Sequence, residues 1–190
     1  MRTRLSTERR RAQLLAIGAE LFAHRPYDEV WVEEVAEIAQ VSRGLLYHYF
    51  PSKRAFFLAI VEAESARLLE ASAPDPALPP AEQLRAGLEI YVDYAERNPD
   101  GFRVAQRAAD SDADIRRVKR SRTAAQRDRI LAGLAAVTEV DDTTRIAVNG
   151  WLAFVTAAIL DWLDHRSVTR EELLDLCART LWAAVGADGV

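Results

Sequence analysis

The stretch APDPALPP, Ala73 to Pro80, carries four prolines in eight residues. Proline fixes φ and lacks a backbone N–H, so neither helix nor strand passes through such a segment. It is read as a linker, with helical pattern on both sides. Elsewhere chain breakers are scarce: the whole sequence holds seven prolines and eight glycines. Alanine, leucine, glutamate and arginine dominate, and these are strong helix formers. Apolar residues make up 49% of the chain, enough to bury a substantial core and to exclude disorder. With no convincing strand, repeat or low-complexity tract, the expected architecture is all-α with about nine helices.

Apolar or small residues at Leu14, Ile17, Gly18, Leu21 and Phe22 predict a first helix from Thr7 to about His24, broken by Pro26 and Tyr27. A short second helix is expected over Val32 to Gln40, with Val35, Ala36 and Ala39 inward. A turn at Gln40-Val41 follows, and Ser42 is placed to cap a third helix ending near Phe50, ahead of Pro51. Ser52 caps a fourth, running to about Ser72. Beyond the linker, Pro80 suits the first turn of a helix, and Asn98-Pro99 and Gly101 interrupt the pattern. A charged helix is expected over Asp112 to Val137, and Asp141 or Asp142 caps an apolar one. Thr169-Arg-Glu-Glu172 forms a capping box opening a last helix that stops at Gly186.

The single cysteine, Cys177, rules out an internal disulfide and a cysteine-based zinc site, and reads as a buried apolar residue. The start, MRTRLSTERRRAQ, leads into an amphipathic helix and not an apolar signal core. The most apolar run, Ile146 to Leu160, has fifteen uncharged residues, short of the ~20 that span a bilayer. A buried helix, no membrane partner and a cytoplasmic location are therefore expected. The net charge of −4 is unevenly shared: nine Lys/Arg face seven Asp/Glu up to Leu58, and five arginines lie in the first eleven residues. That asymmetry hints at an anionic partner for the N-terminal end.

The segment VSRGLLYHYFPSK, Val41 to Lys53, concentrates the chemistry. A short helix, a tight turn and a second short helix form the helix-turn-helix arrangement, whose second helix enters the DNA major groove. Glycine inside a helix costs roughly 1 kcal/mol relative to alanine. At Gly44, however, the missing side chain lets the helix N-terminus come close to DNA, where its dipole favours phosphate. Arg43 beside it is placed to reach a guanine edge or a phosphate.

Val35 to Lys53, VAEIAQVSRGLLYHYFPSK, resembles the DNA-binding segment of tetracycline-repressor-type (TetR family) regulators. It matches that pattern at Ala36, Val41, Ser42, Gly44, Leu46, Tyr47, Phe50 and Lys53. The specific likeness runs over about Leu14 to Ile60; beyond it the similarity is one of length and helical content. The resemblance implies that Tyr47 and Lys53 hold backbone phosphates, and that Arg43, Gly44 and His48 face bases or phosphates. It implies that Leu46 and Phe50 pack inward. Three positions depart from the pattern. Trp31 stands where a threonine usually caps the second helix and touches phosphate. Leu45 replaces a threonine, trading a hydroxyl contact for an apolar one to a thymine methyl. Gln40 replaces the turn glycine, which predicts a non-glycine residue at positive φ. The expected DNA-binding set is thus Trp31, Ser42, Arg43, Gly44, Leu45, Tyr47, His48 and Lys53.

Other clusters read as structural. Asp161 and His165 share a helix face, which is better explained by a helix-end ion pair than by a metal, so no metal site is expected. The run RRVKRSR, Arg116 to Arg122, follows DSDAD and precedes QRDR, which suits intrahelical ion pairs on a solvated face. The resemblance implies an effector pocket in the C-terminal part. Its candidate residues are Tyr91, Tyr94, Phe102, Asn149, Trp151 and Phe154, with Thr156 as a further polar contact. Aromatic side chains and few isolated charges suit an apolar or weakly polar small molecule.

Together these features predict a helix-turn-helix DNA-binding domain over residues 1–52 and a helical regulatory and dimerisation domain over 53–190, with the helix 53–72 joining them. The expected protein is a homodimeric, ligand-responsive repressor that binds palindromic double-stranded operator DNA and is released by its effector. No catalytic triad, phosphate loop or metal set supports an enzyme, and no cofactor is expected. The competing possibility is a helical small-molecule-binding or interaction protein without operator binding.

Overall fold

The structure, a computed structural model, describes residues 6–186. Among these, the helices are α1 (Thr7–His24), α2 (Val32–Ile38), α3 (Arg43–Tyr49), α4 (Lys53–Ala71), α5 (Pro80–Arg97), α6 (Pro99–Ser111), α7 (Ala113–Leu134), α8 (Asp142–His165) and α9 (Arg170–Val185), with a 3-10 turn at Tyr27–Glu29. The expected all-α architecture of nine helices is therefore present among the described residues. Boundaries shift by a few residues: α2 stops at Ile38, before Gln40, and α7 stops at Leu134, before Val137.

Local chemistry fixes the helix starts. Ser6 accepts from the Arg9 N–H at 3.3 Å, Ser42 from Leu45 at 3.1 Å and Ser52 from Ala55 at 3.0 Å. Asp141, and not Asp142, caps α8 through the Thr144 N–H at 2.7 Å. Thr169 and Glu172 complete the capping box of α9, and Gly186 ends that helix at φ 65°. Each such cap satisfies backbone donors or acceptors that a helix end leaves unpaired, and contributes about 1 kcal/mol.

The chain forms two compact units. Among the described residues, one contains 6–66 together with Arg97–Val118; the other contains Arg67–Glu96 and 119–186. The grouping departs from chain order because α6 packs on α1: a Cβ at Gly101 would lie 3.0 Å from the Phe22 carbonyl oxygen.

In the first unit, α1 buries Leu14, Leu15, Gly18 and Phe22, which recur at helical spacing. Leu46, Phe50, Phe56 and Val35 join them in one core. Gly18 is required there by packing, since a Cβ would overlap the Phe56 ring. Phe22 and Phe57 meet at 5.0 Å between ring centroids, and Phe50 and Phe56 at 4.8 Å. Each fully buried Phe or Leu stabilises this unit by about 1.5–3 kcal/mol. Arg54 of α4 closes its edge with a two-pronged ion pair to Asp112 at 2.7 and 2.8 Å and a further contact to Asp114 at 2.8 Å.

In the second unit, α8 and α9 pack together. The Trp151 indole donates to the Cys177 carbonyl at 2.7 Å, and the Trp162 indole to the Val168 carbonyl at 2.8 Å. Ion pairs join α5 to this pair: Arg85 with Asp175 (2.7 Å) and Glu171, and Arg170 with Asp93 (2.6 Å). By length and composition α8 is apolar enough to cross a membrane, more so than its fifteen-residue uncharged run suggests. Nevertheless one face, Thr144, Val148, Trp151, Val155, Ile159, Trp162 and Leu163, is buried in the unit. The outward side of α8 carries Ile146 together with the small residues Gly150, Ala153 and Ala157.

Candidate functional site

The turn between α2 and α3 is built from backbone. The Val41 N–H donates to the Ala36 carbonyl at 2.9 Å and the Gln40 N–H to Glu37 at 3.0 Å. Gln40 takes φ 53°, the left-handed conformation that its place in the turn predicts. Ser42 then launches α3, with Arg43 and Gly44 as its first two residues. Leu46 and Phe50 lie in the core at 1% and 2% exposure, so the α3 faces bearing Arg43, Leu45, Tyr47 and His48 are exposed. No atom beyond Gly44's chain neighbours and its own helix backbone lies within 4 Å of the position a Cβ would take there. The missing side chain is therefore not required by packing within the protein.

The side chains around α3 are not all extended into solvent. Arg43 pairs with Glu33 of α2 at 2.5 Å, and the Tyr47 hydroxyl donates to the same carboxylate at 3.2 Å. Glu33's carboxyl is held below its usual range, first by its own backbone N–H and then by Arg43 and Tyr47. Tyr47's hydroxyl is pushed up by desolvation and by the Glu33 charge. Lys53 places its ammonium 4.6 Å over the Tyr27 ring and 3.4 Å from the Asp28 carbonyl oxygen. Trp31 precedes α2 without a side-chain cap and is 66% exposed. Two of the five arginines of the basic N-terminal end, at positions 2 and 4, lie outside the described residues. Glu33 had no place in the sequence reading, where it looks like an ordinary first-turn acid of α2.

The second unit contains a cavity of about 1050 Å³, its open mouth included. Tyr91, Trp151 and Thr156 line it, as the sequence suggests. Four other candidates do not line this cavity. Tyr94 and Phe154 are half-buried elsewhere in the second unit, Asn149 is exposed, and Phe102 is buried in the first unit on α6. Tyr94, Asn149 and Phe154 share helices with lining residues but stand at positions that do not line the cavity. Most of the wall is apolar: Leu84, Leu88, Ile130, Leu134, Val155, Leu181 and Trp182. Both charged side chains of the wall come from α7, Arg122 and Arg129, with Gln126 between them; Ser72, Gln83, Thr123 and Thr156 add uncharged polar groups.

Arg122 lies 5.0 Å over the Tyr91 ring and donates to the Tyr91 hydroxyl at 3.2 Å. That hydroxyl lies 3.3 Å from the Thr156 hydroxyl, which donates to the Leu152 carbonyl at 3.1 Å. Arg129 donates to the Leu69 carbonyl oxygen. The basic run 116–122 is therefore divided. Arg117 pairs within its helix with Asp114, as expected, but Arg122 turns to the cavity. Spacing by four and then three residues from 122 to 126 to 129 was the available signal, hidden among neighbouring charges.

Asp161 and His165 approach at 3.3 Å as an exposed pair, and no metal-binding group occurs among the described residues. Cys177 is buried and desolvation raises its thiol pKa to about 11, which leaves it protonated and unreactive at neutral pH.

Residues 14–60 match the family model described as bacterial regulatory proteins, tetR family, and residues 80–184 match the tetracyclin repressor-like C-terminal domain. Among characterised proteins, the HTH-type transcriptional activator FasR of Mycolicibacterium smegmatis is 32% identical over 103 residues, 53% of this chain and 47% of its own. The transcriptional regulator AcuR of Cereibacter sphaeroides is 39% identical over 93 residues, 47% of this chain and 42% of its own. The chain thus spans about half the length of these curated relatives or slightly less. A tetR-family transcriptional regulator from Streptomyces coelicolor superposes with a TM-score of 0.86 at 28% identity, covering 95% of this chain and 82% of that one.

Proposed function

The chain belongs to the tetR family of bacterial regulatory proteins, and on that premise we propose that it is a ligand-responsive repressor, binding a palindromic operator as a homodimer. The observation that carries this reading is the bare backbone at Gly44, at the exposed start of a Ser42-capped helix. A major groove approached by that end meets N–H groups and a helix dipole without an intervening side chain. Arg43, Leu45 and His48 read base edges, while Ser42, Tyr47, Lys53 and Trp31 hold the backbone. Residues 1–52 act as the reading head and 53–190 as the regulatory and dimerisation part.

A C₂ dimer fits a two-fold operator, because each half-site then meets one head. The outward sides of α8 and α9 suit such a contact. Ile146 is 71% exposed, Leu176 41%, and the small residues Gly150, Ala153 and Ala157 admit a close partner. Leu173 and Leu181, by contrast, are spent on the unit's own core. The effector occupies the cavity beside Tyr91 and Trp151 and lowers operator affinity by favouring a head spacing that DNA does not. Effector and DNA affinities must then be reciprocally linked. These events place the protein in the cytoplasm.

The test is fluorescence anisotropy with duplex DNA from upstream of the protein's own gene, followed by transcription from that promoter in vitro. Saturable, sequence-dependent binding that lowers transcription is expected. Binding with no preference over scrambled duplex would refute operator recognition, and a rise in transcription would make the protein an activator.

A further inference from the structure

The cavity of the second unit presents two guanidinium groups and no acid. None of its lining residues is Asp or Glu, and among the described residues neither Arg122 nor Arg129 has a carboxylate partner. The other arginines that anchor this unit behave differently. Arg85, Arg166 and Arg170 each pair with acids on a neighbouring helix.

Arg122 is held in place. It stacks over the Tyr91 ring, and its N–H donates to a hydroxyl that is itself fixed through Thr156 to the Leu152 carbonyl. A planar guanidinium keeps several further donors in a rigid fork suited to a carboxylate. Arg129 stands seven residues on, about 10 Å along α7 and on the same face, with Gln126 between them. The remainder of the wall is mostly hydrocarbon and indole, with the uncharged polar side chains of Ser72, Gln83 and Thr123.

Such a cavity discriminates by desolvation. A neutral apolar molecule entering it would strip water from two cations and return nothing to them, which is costly. An anion returns a charge-assisted hydrogen bond, which is stronger than a neutral one. We infer that the cavity takes organic monoanions, with a carboxylate seated on the Tyr91-held guanidinium of Arg122 and an apolar body lying against Leu88, Trp151 and Trp182. Arg129 adds positive potential from the same wall, about 10 Å away. This rests on the effector reading above and gives the effector a charge, where the sequence pointed to an apolar or weakly polar molecule.

The experiment is isothermal titration of the full chain with octanoate and 4-phenylbutanoate, each against its primary amide, at neutral pH. Wild type is compared with Arg122→Gln, Arg122→Lys and Arg129→Gln. The acids are expected to bind about tenfold or more tightly than the amides. Arg122→Gln should abolish that preference, Arg122→Lys should keep part of it, and Arg129→Gln should reduce it. The Arg129 variant also keeps the test open should Arg122→Gln fail to fold. Amides that bind as well as acids, an unchanged preference in both Gln variants, or no binding by either series would overturn the inference. Operator titration separates it from the parent reading. Amides that release DNA where acids do not would sink the anion assignment and leave the effector switch standing. Acids that bind without altering operator affinity would support the anion site and sink the switch.

Discussion

Arg43 and Glu33 form a 2.5 Å ion pair between α3 and α2, and Tyr47 donates to the same carboxylate. Both cannot be kept unchanged if Arg43 reaches a base edge, so DNA has to compete with Glu33 for this guanidinium. Glu33 also sets a negative charge beside the surface proposed to meet phosphates. Glu33→Gln is expected to raise affinity for operator and scrambled duplex together, since the charge it removes is blind to sequence. Arg43→Ala should instead relax discrimination at individual base pairs by about 1–3 kcal/mol. Anisotropy titrations over single-base operator variants check both, and a sequence-selective effect of Glu33→Gln would show that the carboxylate aims Arg43 instead of restraining it.

Lys53 lies over Tyr27 and near the Asp28 carbonyl in the free protein. A phosphate contact requires it to leave that ring, at a cost of roughly 0.5–1 kcal/mol for an exposed cation–π contact. Lys53→Ala should weaken binding to all sequences and lower the slope of log affinity against log salt by about 1. An unchanged affinity and slope would remove Lys53 from the DNA-binding set.

Gly44 allows stability and function to be separated. Open space surrounds the position of its Cβ, so alanine there meets no clash and gains helix propensity. Gly44→Ala should raise the unfolding free energy, by up to about 1 kcal/mol, while weakening DNA binding through the methyl group it adds at the groove. Urea denaturation and anisotropy on one sample decide the matter. Equal or tighter operator binding would mean the helix N-terminus does not come close to DNA.

Acid should loosen the first unit through Arg54. Hydrogen bonds from Arg54 come first among the causes that hold the Asp112 and Asp114 carboxyls below their usual range. A depressed folded pKa contributes stability that is fully present above the unfolded value, near 4, and is lost as pH falls through the lower folded value. Arg54→Gln should therefore lower Tm at neutral pH, and the gap to wild type should narrow as pH falls through the lowered carboxyl range. A gap that persists in strong acid would assign Arg54's contribution to packing of its stem.

The parts of this molecule that were legible in sequence are those that local chemistry determines. Ser42, Thr169 and Gly186 announce helix ends wherever they stand, and Gln40 in a tight turn announces its positive φ. The cavity is a different kind of object. It is assembled from helices far apart in sequence, and which face of each helix turns inward depends on partners that spacing does not name. Tyr91 and Tyr94 lie within one turn of the same helix, yet Tyr91 lines the cavity and Tyr94 does not. Arg122 was hidden for a related reason: in a run of five cations, solvation suits each one taken singly. Glu33 was missed because its importance lies wholly in what α3 brings to it.

The proposed dimer depends on a side of α8 that the unit leaves uncovered. Ile146 is 71% exposed and stands in line with Gly150, Ala153 and Ala157, while Val148, Trp151 and Val155 take the inward positions. A large exposed isoleucine beside small residues packs closely when a second copy covers it, and a stable interface needs about 800 Å² per partner. Ile146→Asp places a charge where that cover would sit, without touching the buried face. It should convert a dimer into a monomer in light scattering at micromolar concentration, leave the helical circular dichroism intact, and weaken binding to a two-fold operator far more than binding to an isolated half-site. Retention of the dimer by the variant would move the interface away from this side of α8, and a monomeric wild type would remove the two-headed operator model altogether.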